Sequence, residues 1–141
     1  MNLDLEALET SFDLVAPRGD ELMDEFYARL FAAAPGVRVL FPRDMQTQKT
    51  MLLSALVLLR KSLRNLDAVV PTLRALGARH VAYGARPEHY PVVGAVLIES
   101  MAAIAGPAWT PEYEQAWSAA FAIVAGTMLE GAAEAELASA A

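Results

Sequence analysis

The chain has 141 residues, of which 55% are apolar, so it is long enough for a single domain with a sizeable core. It contains no cysteine, which excludes disulfides, iron–sulfur clusters, thiolate ligation of haem and cysteine catalysis. The formal net charge of −6 disfavours nucleic acid and anionic membranes as partners. The acidic N-terminus lacks a signal-peptide pattern, and the longest strongly apolar run, 51–59, is too short to cross a bilayer. We therefore expect a cytoplasmic protein without a membrane span.

Apolar residues recur at helical spacing in the first half of the chain, without an alternating strand pattern or an internal repeat. The first predicted helix ends near Pro17, the second covers about 20–34, and a short turn or helix follows at 37–41. A further helix begins near Met45. Its predicted inner face carries one amide among apolar residues: Gln48, Leu52, Ala55, Leu59 and Leu63.

The second half contains three more predicted helices. The first has Asp67 as its expected cap and ends at Gly84, and the next covers about 88–105. The last begins with Thr110 as cap and Pro111 in the first position. Its inward stripe is apolar: Tyr113, Trp117, Phe121, Val124 and Met128. The pattern as a whole predicts one all-α domain of about seven helices over residues 1–141.

His80 is one of only two histidines, and it lies on the same helical face as Val69, Leu73 and Leu76. A buried neutral imidazole needs a partner for each ring nitrogen. One nitrogen can bind a metal or a haem iron while the other donates to a carbonyl. A histidine on an apolar face is more often a satisfied core residue than a ligand, and the pattern alone leaves both interpretations open.

Common enzyme motifs are absent from the sequence. No glycine-rich phosphate loop follows a strand, and no histidine pair has the spacing of zinc ligands, since His80 and His89 are nine residues apart across a helix break. A flat apolar slot between two facing helices could hold a haem, with His80 on one side and Gln48 on the other.

Several segments together resemble the single-domain bacterial globins that are related to the globin part of flavohaemoglobins. The resemblance covers nearly the whole chain, and its order and spacing are more specific than any single piece. The segments that carry it are Phe26-Tyr27-Ala28-Arg29-Leu30-Phe31, residues 35–41, Gln48, Asn65-Leu66, Arg79-His80, Gly84, residues 89–94 and Ala116-Trp117.

The resemblance implies a globin fold enclosing a b-type haem, with His80 as the proximal iron ligand. It implies that Tyr27 and Gln48 are distal hydrogen-bond donors that retain bound oxygen and support any catalysis. The other implied haem contacts are Phe41, Leu52, Arg79, Tyr90 and Val93. Each residue has a plainer interpretation: core packing for Tyr27, Phe41 and Leu52, and solvent exposure for Gln48 and Arg79.

The implied function is reversible binding of oxygen and other diatomic gases, including nitric oxide and carbon monoxide, by a monomer or homodimer. Oxygen transport and nitric oxide dioxygenation are the implied activities. The chain ends at Ala141 without room for flavin- and nicotinamide-binding domains, so we expect any dioxygenation to need an external reductase. The competing interpretation is a sensory or haem-free globin-like module that acts through a partner protein.

One position departs from the family pattern on the proximal side. Relatives with a histidine–tyrosine–glutamate network carry a glutamate where this chain has Ala132. Glu130 and Glu134 are each two residues away, about 200° around the helix, so neither is expected to replace that glutamate.

Overall fold

The computed structural model describes residues 3–140, and these residues form six α-helices and four short 3-10 segments, with no strand among them. The α-helices are α1 (Leu5–Val15), α2 (Gly19–Ala33), α3 (Gln46–Ser62), α4 (Val70–Ala82), α5 (His89–Ala105) and α6 (Pro111–Ala140). The 3-10 segments are Ala16–Arg18, Pro35–Leu40, Leu63–Val69 and Gly106–Ala108. The prediction of about seven helices counted the short segment near 37–41, which is the 3-10 segment Pro35–Leu40.

Two helices begin at side chains that cap them, and a third predicted cap is not formed. The Asp4 carboxylate accepts a hydrogen bond from the Ala7 N–H at 3.0 Å and caps α1. The Thr110 hydroxyl accepts from the Tyr113 N–H at 3.3 Å and caps α6, as predicted. The expectation for Asp67 is wrong, because the segment Leu63–Val69 continues directly into α4 and leaves no free helix end to cap. Asp67 contributes only its carbonyl, which accepts from the Val70 N–H.

The core is built mainly by α1, α2, α5 and α6. Their largest fully buried apolar side chains are Leu8, Val15, Leu22, Met23 and Met101. The polar groups of Ser11 and Trp117 are satisfied within this core: the Trp117 Nε1–H donates to the Ser11 hydroxyl at 2.8 Å, and Ser11 donates to the Leu8 carbonyl at 3.2 Å. Satisfied polar groups allow these helices to pack as a continuous interior.

Helix α3 is packed less deeply than predicted. Only Leu56 is fully buried within it, whereas Gln48, Leu52 and Leu59 are half-buried. Ala55 is exposed, which contradicts its predicted place on the inner face. A spacing of three or four residues defines a face of a helix, but the width of the buried stripe depends on the neighbouring helices.

Helices α4 and α6 approach each other at backbone contact. A Cβ on Gly77 would lie 1.8 Å from the Met128 carbonyl oxygen, and one on Gly131 would lie 2.0 Å from the Arg74 carbonyl oxygen. The later residue of α4 pairs with the earlier residue of α6, so the two helices run antiparallel. Only glycine fits at these two positions, because a Cβ would overlap the facing carbonyl oxygen. The close contact between α4 and α6 therefore depends on Gly77 and Gly131.

Two arginine clusters connect distant helices at the surface. Arg60 and Arg64, at the C-terminal end of α3 and just beyond it, pair with Glu9 and Asp13 on α1. The hydrogen bond from Arg64 holds the pKa of Glu9 below its usual value, and the hydrogen bond from Arg60 does the same to the pKa of Asp13. The first cluster thus ties the end of α3 to the opening helix.

The second cluster lies on the α4–α6 contact. Arg74 of α4 pairs with Glu130 at 2.6 Å and also with Glu134, both on α6. These ion pairs lie beside Gly131, where the two backbones are in contact. The α4–α6 interface is therefore held both by ion pairs and by close backbone packing.

Two stretches, His89–Ala108 and Pro111–Ala138, are long and apolar enough, by length and composition, to cross a bilayer. They are longer than the unbroken apolar run 51–59, on which the expectation of no span rests. About a third of one stretch and two fifths of the other are buried inside the fold. Long apolar helices that supply a core pass the same length test, and both helices supply the core here.

Candidate functional site

The His80 ring is oriented by a hydrogen bond to its own helix. Nδ1 lies 2.7 Å from the Leu76 carbonyl oxygen. Because a carbonyl only accepts, Nδ1 must carry a proton, and in the neutral imidazole Nε2 then carries the lone pair. The described part of the chain gives Nε2 no hydrogen-bond partner. A half-buried imidazole with one nitrogen anchored and the other free has the donor arrangement that a metal ligand requires.

Two tyrosines flank the His80 ring. The ring centroids of Tyr83 and Tyr90 lie 5.9 and 6.5 Å from that of His80. The Tyr90 hydroxyl is buried and has no hydrogen-bond partner, and burial raises its pKa. A buried hydroxyl without a partner is uncommon in folded proteins and marks a place where a polar group is missing.

The proximal carboxylate that the family resemblance implies has no substitute among residues 3–140. Ala132 is buried, 8% exposed, and offers no polar atom beyond its backbone. Glu130 and Glu134 both turn to Arg74 at the surface. The unpartnered Tyr90 hydroxyl therefore agrees with the absence of a carboxylate at position 132.

Tyr27, the residue predicted on the distal side, lies in an aromatic cluster. It is 4% exposed, and its ring centroid lies 4.9 Å from Phe26, 5.9 Å from Phe31 and 5.7 Å from Phe41. Burial raises the pKa of its hydroxyl, and a hydrogen bond with the Gln48 side chain opposes part of this rise. The structure therefore brings together Tyr27 and Gln48, which are predicted as a pair although they lie on different helices.

Arg38 supports this aromatic cluster and was not singled out from the sequence. Its guanidinium lies 5.0 Å from the Phe31 ring centroid and donates to the Phe41, Pro42 and Arg43 carbonyls at 3.4, 2.9 and 3.2 Å. Arg38 therefore holds both the ring that packs on Phe41 and the turn that follows it. An arginine three residues before a Phe-Pro pair is the available signal, but it does not specify which carbonyls receive the guanidinium.

The remaining predicted site residues differ in how they are placed. Phe41, Leu52 and Val93 are half-buried and pack against the core. Arg79 is exposed and forms no ion pair with any residue in 3–140. His89 lies at the start of α5, and its Nδ1 accepts from the Arg86 N–H at 3.0 Å, so it helps to close the preceding loop.

Comparison with known proteins shows the family. The Globin family model matches residues 24–128, which includes Tyr27, Gln48, His80 and Tyr90. The chain therefore belongs to the globin family and is a haem-binding globin, as the resemblance predicts. The all-α globin fold is likewise confirmed.

Individual proteins agree with this assignment. A flavohemoprotein of Bacillus subtilis is 29% identical over 127 residues, which are 88% of this chain and 32% of the relative. A bacterial globin from Campylobacter jejuni has a TM-score of 0.81 at 24% identity, covering 92% of this chain and 94% of that one. A flavohemoglobin from Malassezia yamatoensis with bound FAD and heme has a TM-score of 0.77 at 20% identity, covering 92% and 36%. The chain spans about a third of the length of the flavohemoproteins it matches.

Proposed function

We propose that this chain is a cytoplasmic globin that binds one haem b through His80 and reversibly binds oxygen and other diatomic gases. The observation that carries the proposal is the His80 ring, whose Nδ1 is held by the Leu76 carbonyl so that Nε2 is free to bind iron. The absence of cysteine supports haem b, because no thiol is available for a covalent link to a vinyl group.

A haem bound here supplies an iron centre that takes up diatomic ligands and can support oxidation of nitric oxide to nitrate. The protein supplies orientation and polarity around that centre. Tyr27 is held in place by three aromatic neighbours before any ligand arrives, and its hydroxyl can donate to a polar ligand. The Gln48 amide is a second donor beside it. Each net hydrogen bond contributes about 1 kcal/mol, or a roughly five-fold effect on ligand release.

Nitric oxide dioxygenation is the reaction that we propose beyond ligand binding. Its repeated cycles require ferric iron to be reduced, so we propose that a reductase supplies electrons to this globin.

A sensory role is the second candidate, and the proximal side favours it. The Tyr90 hydroxyl has no partner among residues 3–140 and position 132 carries no carboxylate, so this part of the chain provides no group that would polarise His80 through Tyr90. A globin without that polarisation is suited to binding a gas and signalling the event. Rapid nitrate formation from nitric oxide by the oxygenated protein would support the dioxygenase over the sensor.

The two histidines provide a matched test of haem binding. His80→Ala should abolish haem retention or leave the iron open to added imidazole, with a loss or shift of the Soret band. His89→Ala removes the other imidazole and should leave the Soret band unchanged. An unchanged Soret band and ligand affinity in His80→Ala would contradict the assignment, and a bis-histidine spectrum that disappears in His89→Ala would do so as well.

A further inference from the structure

Exposed apolar side chains gather where two loops meet beside His80. Val39 is 85% exposed and Tyr83 is 56% exposed. The Leu40 Cδ2 atom lies 3.0 Å from the position that a Cβ on Gly84 would occupy, so the loop after α2 contacts the loop after α4. We call the surface formed by residues 38–44 and 79–88 the loop patch.

The loop patch is basic within an acidic protein. It contains four arginines, one aspartate and one glutamate, a net charge of +2, whereas the whole chain carries −6. Arg43, Arg79 and Arg86 are exposed, and none of them takes part in the ion pairs described for residues 3–140. Most of the other basic side chains pair with acids elsewhere on the surface: Arg18, Arg29, Lys49, Arg60, Arg64 and Arg74.

The two acidic residues of the patch reduce its net charge to +2 but form no ion pair with its arginines. The Asp44 carboxylate accepts from the Gln46 N–H at 3.0 Å at the start of α3. Glu88 is exposed at the start of α5 and forms none of the described ion pairs. The exposed arginines therefore present positive charge to whatever approaches this face.

The position of the patch relates it to the proposed haem ligand. Tyr83 is both an exposed member of the patch and a ring neighbour of His80, with 5.9 Å between the ring centroids. A protein bound to this face at Tyr83 would be separated from the His80 imidazole by the Tyr83 side chain. Exposed aromatic and aliphatic side chains framed by arginines are also typical of protein interfaces.

We propose that the loop patch docks an electron-donor protein with an acidic surface, specifically a flavoprotein that reduces the haem iron. This inference rests on the proposed function and names the class of its reductase. One electron passes from the partner's reduced flavin to ferric iron, which becomes ferrous as the donor is oxidised by one electron. The positive patch attracts such a donor although the net charge of −6 repels it, so the patch determines where the donor binds.

The test uses flavodoxin, a small acidic flavoprotein, as the probe. Ferric haem-loaded protein is mixed with reduced flavodoxin in a stopped-flow instrument, and binding of oxidised flavodoxin is measured separately by calorimetry. Arg43→Gln with Arg86→Gln removes two patch charges. Arg18→Gln with Lys61→Gln removes two charges from exposed positions outside the patch and serves as the matched control. Arg79 is left intact because it is a candidate haem contact.

We expect the patch variant to lose about ten-fold in second-order reduction rate and in affinity at low ionic strength, and the control to change less than two-fold. The rate for the parent protein should fall as salt is added. Tyr83→Ser should weaken binding of flavodoxin further.

Equal effects of the two double variants, or a rate that rises with salt, would show that the net charge governs the encounter and would overturn the inference. Binding to phosphatidylglycerol vesicles that depends on Arg43 and Arg86, without binding to flavodoxin, would overturn it in favour of a membrane surface. The Soret band separates this failure from failure of the proposed function, because a protein that binds no haem has none.

Discussion

The two sides of the candidate haem site are organised differently. On the distal side, Tyr27 is packed among three aromatic rings, and the Gln48 side chain opposes part of the rise that burial causes in its pKa. On the proximal side, the His80 ring is anchored by one bond to its own helix, and the Tyr90 hydroxyl has no partner. Packing therefore fixes the position of the distal Tyr27 side chain. On the proximal side, the position of the helix that carries His80 is fixed mainly by the contact between α4 and α6.

The helices that carry the two sides are also fastened differently. The distal helix α3 buries only Leu56 completely and is tied to α1 by arginine pairs near its end. The proximal helix α4 lies against α6 at two glycines. Packing without space for a methyl group leaves little freedom to adjust, whereas exposed ion pairs stabilise weakly. Substitutions at the α4–α6 contact should therefore lower the free energy of unfolding more than substitutions in the ion pairs near α3.

The largest effect should come from filling the α4–α6 contact. Gly131→Ala places a methyl group against the Arg74 carbonyl and should lower the free energy of unfolding by about 3 kcal/mol. Gly126→Ala is a matched control in the same helix, since a Cβ there meets nothing within 4 Å. It should raise the free energy of unfolding by about 0.5 to 1 kcal/mol because alanine favours the helix. Urea unfolding measures the free energy of unfolding of both variants. Similar values for the two would show that α4 and α6 can move apart to accommodate the added methyl group.

Removing the two tyrosine hydroxyls should change stability in opposite directions. Tyr90→Phe deletes a buried hydroxyl without a partner and should raise the free energy of unfolding by about 1 kcal/mol. Tyr27→Phe deletes a buried hydroxyl that interacts with the Gln48 side chain and should lower it by about 1 kcal/mol. The same urea titration compares the two variants. A loss of stability in Tyr90→Phe would mean that its hydroxyl has a partner in solution.

Oxygen release should depend more on Tyr27 than on Gln48. Tyr27→Phe removes a donor whose ring is already fixed by packing, and we expect release about five-fold faster. Gln48→Leu should change release less, because Gln48 is half-buried near the start of α3 and must lose more side-chain freedom to donate. Displacement of oxygen by carbon monoxide in a stopped-flow instrument measures both rates. Faster release from Gln48→Leu than from Tyr27→Phe would reverse this ranking.

The smallest expected effect concerns acid stability of the α1–α3 contact. The pKa of Glu9 is lowered in the folded protein, so its ion pairs contribute stability above the unfolded value of 4.5 and lose it as the pH falls through the folded value. Glu9→Gln should flatten the loss of stability below about pH 4.5. Glu112→Gln, at the exposed start of α6, is the control and should leave the pH profile unchanged. Identical profiles for both variants would show that the cluster around Glu9 does not connect α1 to the end of α3 in solution.

Much of the fold could be predicted from short-range patterns. Prolines and apolar spacing place α1, α2 and α5 within a residue or two of their observed bounds and place the start of α6 at Pro111, because helix formation depends on residues three and four apart. The order of motifs around Tyr27, Gln48 and His80 predicts the globin family, which the family model confirms. The sequence also indicates that His80 needs a partner for each ring nitrogen.

What the sequence could not determine depends on residues far apart in the chain. Asp67 does not cap α4, since a continuous helical segment precedes that helix, and Ala55 is exposed although its spacing places it on the predicted inner face. Arg38 acts through turn carbonyls and the Phe31 ring, and neither partner is specified by spacing. The pairing of Glu130 and Glu134 with Arg74, more than fifty residues away, explains why neither glutamate reaches Tyr90. Local periodicity determines which face of a helix is apolar, but only tertiary packing determines which polar groups meet on it and which remain alone.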